Sequence, residues 1–160
     1  MNKVLIYGYG NPGRRDDGLG VALVDKLEKW SIANGIQNID FDSNYQLNIE
    51  DAELISQYET VIFADASTEN IEHCLLSAVN PSQARIEFTM HAVSPAFVLN
   101  LCNNIFKKFP ETYLLHIKGY EWDFNEGIST EAKVNLNKAF RVIINLLSDK
   151  KIINKTYQKV

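Results

Sequence analysis

Residues 3–20 read KVLIYGYGNPGRRDDGLG, and this stretch decides the fold. Lys3–Tyr7 is a short apolar run rich in β-formers and bounded by Gly8 and Gly10, which reads as a buried strand. From Leu19 the period changes. Leu19, Leu23, Leu27 and Trp30 recur on one helical face, with Val24 beside them. Strand, glycine turn and helix therefore follow in quick succession. The turn delivers two adjacent carboxylates, Asp16 and Asp17, to the start of the helix. One is enough to cap it and complement its dipole, which leaves the other for chemistry.

Working outward, Ile36–Phe41 alternates as a second strand, and Asn48 with Asp51 opens a short helix whose core candidates are Ile49, Leu54 and Ile55. Val61–Ala64 is a continuous apolar run ending in Asp65, the pattern of a central strand covered on both faces. Ile71–Val79 reads as an edge strand and Phe88–Val93 as extended. Ser94-Pro95 starts a helix, Ser as cap and Pro at its first position, with Phe97 or Val98, Leu101, Cys102, Ile105 and Phe106 as its apolar side. Thr112–Ile117 is a strand and Gly119–Gly127 an aromatic-bearing loop. Ser129 caps a last helix with the stripe Ala132, Leu136, Phe140, Ile143 and Leu147. Alternating strands and helices predict a three-layer α/β fold with a mostly parallel sheet. Residues 1–148 form one domain in this reading, and 149–160 a polar tail with little core material.

Composition narrows the function. The 160 residues carry a net charge of −4 and no basic face, which argues against nucleic acid. No apolar run approaches the roughly 20 residues of a membrane helix. Cys74 and Cys102 lack CxxC spacing and read as buried thiols of a reducing, cytoplasmic protein, with one disulfide as the alternative, and the strand pattern beginning at Lys3 predicts no signal peptide.

Gly8, Gly10 and Gly13 match the GxGxxG of a dinucleotide-binding turn. Against that, Asp16 and Asp17 stand where a pyrophosphate would bind and would repel it, and Pro12 removes an amide from the loop. No nucleotide cofactor is expected. Sites in open α/β sheets form beyond the carboxyl ends of strands, where Asp17, Asp65 and His91 each follow one. Two carboxylates and an imidazole form a donor set for a borderline divalent ion such as zinc or nickel. A Ser94–His91–Asp65 triad is disfavoured because Ser94 is a helix cap without a nucleophile elbow. His73 and His116 read as structural.

GYGNPGRRDDGLG, VIFADAS and HAVSP, in that order, resemble the nickel–iron hydrogenase maturation endopeptidases, as do IKGYEW and the GIST that opens the last helix. The resemblance runs from residue 3 to about 147. It implies a twisted five-stranded sheet between helices, with Asp17, Asp65 and His91 as the metal-binding and catalytic residues. It also implies removal of the C-terminal extension of a hydrogenase large-subunit precursor, with nickel supplied by that substrate. Gly8, Gly10, Asn11, Arg14 and Arg15 are the candidate substrate-binding residues. The GNPG turn also resembles peptidyl-tRNA hydrolases, but no histidine follows it before His73. A metal- or partner-binding module without turnover is the non-enzymatic alternative.

Overall fold

The computed structural model describes residues 2–81 and 93–154. Strand β1 (Val4–Tyr9) leads through a short 3-10 turn (Arg15–Gly18) into α1 (Leu19–Ala33). Then come β2 (Ile39–Asn44), α2 (Asp51–Ile55), β3 (Thr60–Ser67) and β4 (Cys74–Ala78). The chain ends in α3 (Pro95–Leu101), β5 (Glu111–Lys118) and α4 (Thr130–Asp149). The sheet order is β2-β1-β3-β5-β4, with β1, β2, β3 and β5 parallel and β4 antiparallel to β5 at one edge. This is the three-layer, mostly parallel α/β fold expected from the sequence.

Alternation along the strands splits the core in two. Val4, Ile6, Ile62, Ala64, Leu115 and Ile117 pack against α1 and α4. Leu5, Tyr7, Val61 and Phe63 pack against Ala52 and Ile55 of α2 and Val98, Leu99 and Cys102 from α3 onward. β3 is thus apolar on both faces because both faces are covered. On the first face α1 lies almost on the sheet. A Cβ built on Gly8 would stand 2.1 Å from the Gly20 carbonyl oxygen, and one on Gly20 would stand 2.3 Å from that of Ala64.

Several local expectations are corrected. α3 passes into a wider π turn at Cys102–Phe106, closed by left-handed Lys107, so Ile105 and Phe106 rotate off the apolar stripe and are 62% and 37% exposed. Ile49 is exposed rather than core, and the second strand starts at Ile39 rather than Ile36. The tail carries core material as far as Ile153, which is buried against the α1/α4 cluster. The expected extended segment at 88–93 lies almost wholly outside the described residues. Both cysteines are free thiols, Cys102 buried and Cys74 half-buried. Among the described residues, no helix is long and apolar enough to cross a membrane.

Candidate active site

The connection from β1 runs to β2 on one side of it, and that from β2 crosses back to β3 on the other. The carboxyl ends of β1 and β3 therefore open a crevice at the point where the strand order reverses, the place where open α/β sheets bind ligands. Asp17 follows β1 and Asp65 stands near the end of β3.

The glycine turn fixes Asp17. Asn11 accepts from Gly13 N–H through Oδ1 at 2.9 Å, and its own N–H donates to Asp17 Oδ2 at 2.8 Å. Gly10 adopts φ +136°, a conformation that side chains disfavour, and the Asp17 carbonyl oxygen occupies the space its Cβ would fill, 2.1 Å away. The turn and the carboxylate thus form one rigid unit. Beside it lies an open cavity of about 250 Å³ lined by Gly10, Pro12, Val21, Ser43, Asn44 and Tyr45.

The neighbouring carboxylate has a different task. Asp16 is fully buried, and its Oδ1 accepts from Ser129 N–H at 2.7 Å. Its Oδ2 accepts from the Ser129 hydroxyl at 2.7 Å and from the N–H groups of Tyr120 and Glu121 at 2.8 and 3.0 Å. Burial alone would raise its pKa, but these donors outweigh burial and hold it below the usual carboxylate range. Neither aspartate caps α1, whose N-cap is Gly18 with no side-chain cap bond. The expectation of an N-capping carboxylate is corrected: Asp16 instead anchors the aromatic loop and the start of α4.

Asp65 is half-buried, on the face that carries Val61 and Phe63. Its pKa is raised to about 7, first by burial and then by the charge of Asp17; the Ala66 N–H and the Tyr9 hydroxyl oppose the rise. Two carboxylates that repel each other in a shared crevice favour a proton or a cation between them. Tyr9 is a residue that sequence reading passed over. The β1–β3 register pairs Gly8 with Ala64, which sets Tyr9 beside Asp65. Its hydroxyl is held well above its ordinary pKa, by burial first and then by the Asp65 charge and hydrogen bond.

His91 lies outside the described residues. Among the described ones, no group of three His, Cys, Asp or Glu could hold a metal ion, and of the expected ligands Asp17 and Asp65 are near enough for the charge of one to act on the other. His73 and His116 have structural partners: His73 Nδ1 lies 2.8 Å from Asn135 Oδ1, and His116 Nε2 lies 3.2 Å from Ser77 Oγ. Ser94 Oγ is spent as a cap, accepting from Phe97 N–H at 3.1 Å. Arg14 and Arg15 are not simply solvated. Arg14 Nε donates to Trp122 O at 3.2 Å with its guanidinium 5.0 Å over the Phe124 ring, and Arg15 Nη2 pairs with Glu121 Oε2 at 3.0 Å.

No family model matches the chain. In sequence it is 26% identical over 151 residues to a protein of Methanocaldococcus jannaschii named as a candidate hydrogenase maturation protease, covering 88% of this chain and 94% of the relative. In structure it matches the hydrogenase maturating endopeptidase HybD of Escherichia coli, with a TM-score of 0.74, 18% identity and coverage of 92% and 93% of the two chains. The chain has the fold of the hydrogenase maturation proteases. Two more structures with that fold agree. The [NiFe] hydrogenase maturation protease HycI of Thermococcus kodakarensis matches with a TM-score of 0.70 at 17% identity, covering 92% of this chain and 93% of its own. A hydrogenase 2 maturation peptidase of a Thaumarchaeota archaeon matches with a TM-score of 0.68 at 22% identity, covering 92% and 99%.

Proposed function

We propose that this protein is a cytoplasmic endopeptidase that removes the C-terminal extension of a [NiFe]-hydrogenase large-subunit precursor already loaded with nickel. The observation that carries the reading is the pairing of Asp17 and Asp65 in the crevice between β1 and β3, where the Asp17 charge adds to burial in raising the Asp65 pKa. The metal belongs to the substrate and supplies a Lewis acid at the peptide to be cut. Asp17 and Asp65, with His91, are the groups that receive it. The orientation of Asp17 is set by the Asn11 amide. Asp65, whose pKa burial and the Asp17 charge raise to about 7, can hold a proton until the substrate's cation takes its place.

The extended segment of the precursor lies along the turn at Gly10 and Asn11 and enters the cavity bounded by Pro12, Val21 and Tyr45. Gly8 serves this arrangement indirectly, through its contact with Gly20. Arg14 and Arg15 act by holding the 119–127 loop at the rim. Incubation with a nickel-loaded precursor tests the reading, because a protease shortens that precursor and a binding module leaves it at full length.

A further inference from the structure

β5 runs parallel to β3 and ends at Lys118, so the loop that follows it, residues 119–127, GYEWDFNEG, starts on the pole of the sheet where the crevice opens. Aromatic side chains stand at every second position of its first half: Tyr120 is 44% exposed, Trp122 half-buried and Phe124 84% exposed. A single exposed apolar residue is ordinary on a surface, but this one is held in place. The loop is pinned to the glycine turn backbone to backbone, Arg15 N–H donating to Asn125 O at 2.9 Å and Asp16 N–H to Glu121 O at 3.0 Å. The Phe124 ring has the Arg14 guanidinium on one side and stands in water elsewhere. Three carboxylates share the loop. Glu121 is paired with Arg15, while Asp123 and Glu126 are exposed and form no ion pair among the described residues.

We infer that Phe124, flanked by Asp123 and Glu126, is the docking point for a segment of the hydrogenase precursor that carries an apolar side chain among basic ones, an inference that rests on the proposed protease activity. An aromatic ring on a loop already ordered by backbone bonds contributes contact area on binding and loses little freedom in doing so. The charge of the rim selects the partner. Arg14 and Arg15 stand against Asp16, Asp17 and the three carboxylates of the loop, so turn and loop together are acidic, which attracts a basic segment and rejects an acidic one. Because the loop is bonded to the turn that carries Asp17, a segment seated on Phe124 is held at the lip of the crevice.

Steady-state processing of a nickel-loaded [NiFe]-hydrogenase large-subunit precursor tests this, with the unsubstituted protein, Phe124→Ala, the double variant Asp123→Asn/Glu126→Gln, and Phe109→Ala as a control. Phe109 is 74% exposed but precedes β5, at the opposite pole of the sheet. In Phe124→Ala, KM should rise about 10- to 30-fold, far more than kcat falls, while hydrogen exchange at residues 121–126 is unchanged because the backbone bonds of the loop remain. The double variant should raise KM about 2- to 5-fold at low salt and not at high salt. Phe109→Ala should leave KM as it was. An unchanged KM in Phe124→Ala, an equal rise in Phe109→Ala, or faster loop exchange in Phe124→Ala overturns the docking role and leaves the protease activity standing. An unchanged KM in the double variant at low salt overturns the basic character of the segment. If the unsubstituted protein leaves the precursor at full length, the protease activity fails and the docking point falls with it.

Discussion

Asp16 and Ser129 are joined twice, backbone N–H to Oδ1 and hydroxyl to Oδ2, each at 2.7 Å, although 113 residues separate them. The same Ser129 hydroxyl oxygen accepts from Ala132 N–H at 3.3 Å and so caps α4. One buried carboxylate therefore links the turn beside the site, the 119–127 loop and the last helix.

Asp16→Ala leaves the N–H groups of Ser129, Tyr120 and Glu121 without their acceptor. At about 1–3 kcal/mol for a buried group left unsatisfied, and less for the two half-exposed amides, a loss of at least about 3 kcal/mol is expected from urea unfolding. The pH dependence has a defined sign. The folded pKa of Asp16 is depressed, so its contribution is complete above the unfolded value near ~3.9 and is lost as pH falls through the folded one. Asp16→Asn should therefore show a shallower acid loss of stability than the unsubstituted protein. An equal loss in both would contradict the role.

Asp65 has the opposite sign. Its folded pKa, about 7, lies above the unfolded value near ~3.9, so its protonated form stabilises the fold at low pH and that contribution is lost as pH rises through about 7. Asp65→Asn should remove this part of the pH dependence. At pH 8 it should match or exceed the stability of the unsubstituted protein, by up to about 1–3 kcal/mol, while precursor processing falls sharply. A destabilised but fully active variant would place Asp65 in the scaffold rather than the site.

Arg14 and Arg15 hold the 119–127 loop through Trp122, Phe124 and Glu121. Replacing both by Ala should speed hydrogen exchange at Glu121–Glu126 and weaken precursor affinity at low salt. Unchanged exchange and unchanged affinity would assign the pair to solvation.

The first turn was legible in the sequence because everything that decides it is local: an apolar run, glycines, then a change of period at Leu19. β3 was legible because Val61–Ala64 has no polar face, and α4 because Ser129 and its stripe agree. The task of Asp16 was not legible, since its partners lie 104 to 113 positions downstream and nothing near it distinguishes it from Asp17. Tyr9 was missed because it reads as one more β-former. The parity of β1, which sets Tyr9 on the Tyr7 face beside the end of β3, was the available signal. The exposure of Ile105 and Phe106 follows from one widened turn, which a period of 3.6 cannot express.

Gly8 and Gly10 admit protein backbone, the carbonyls of Gly20 and Asp17, into the space a dinucleotide turn would offer to phosphate. NAD and FAD should show no saturable binding at micromolar concentration, measured by equilibrium dialysis. Binding of either would restore the nucleotide reading.

The central claim is that the Asp17–Asp65 crevice cuts a nickel-bearing precursor. Mass spectrometry of a hydrogenase large-subunit precursor, incubated with this protein with and without prior nickel loading, tests it most directly. The account predicts loss of the C-terminal extension from the loaded precursor alone, and none with Asp17→Asn or Asp65→Asn. A loaded precursor that stays at full length, or one cut equally well without nickel, would contradict it.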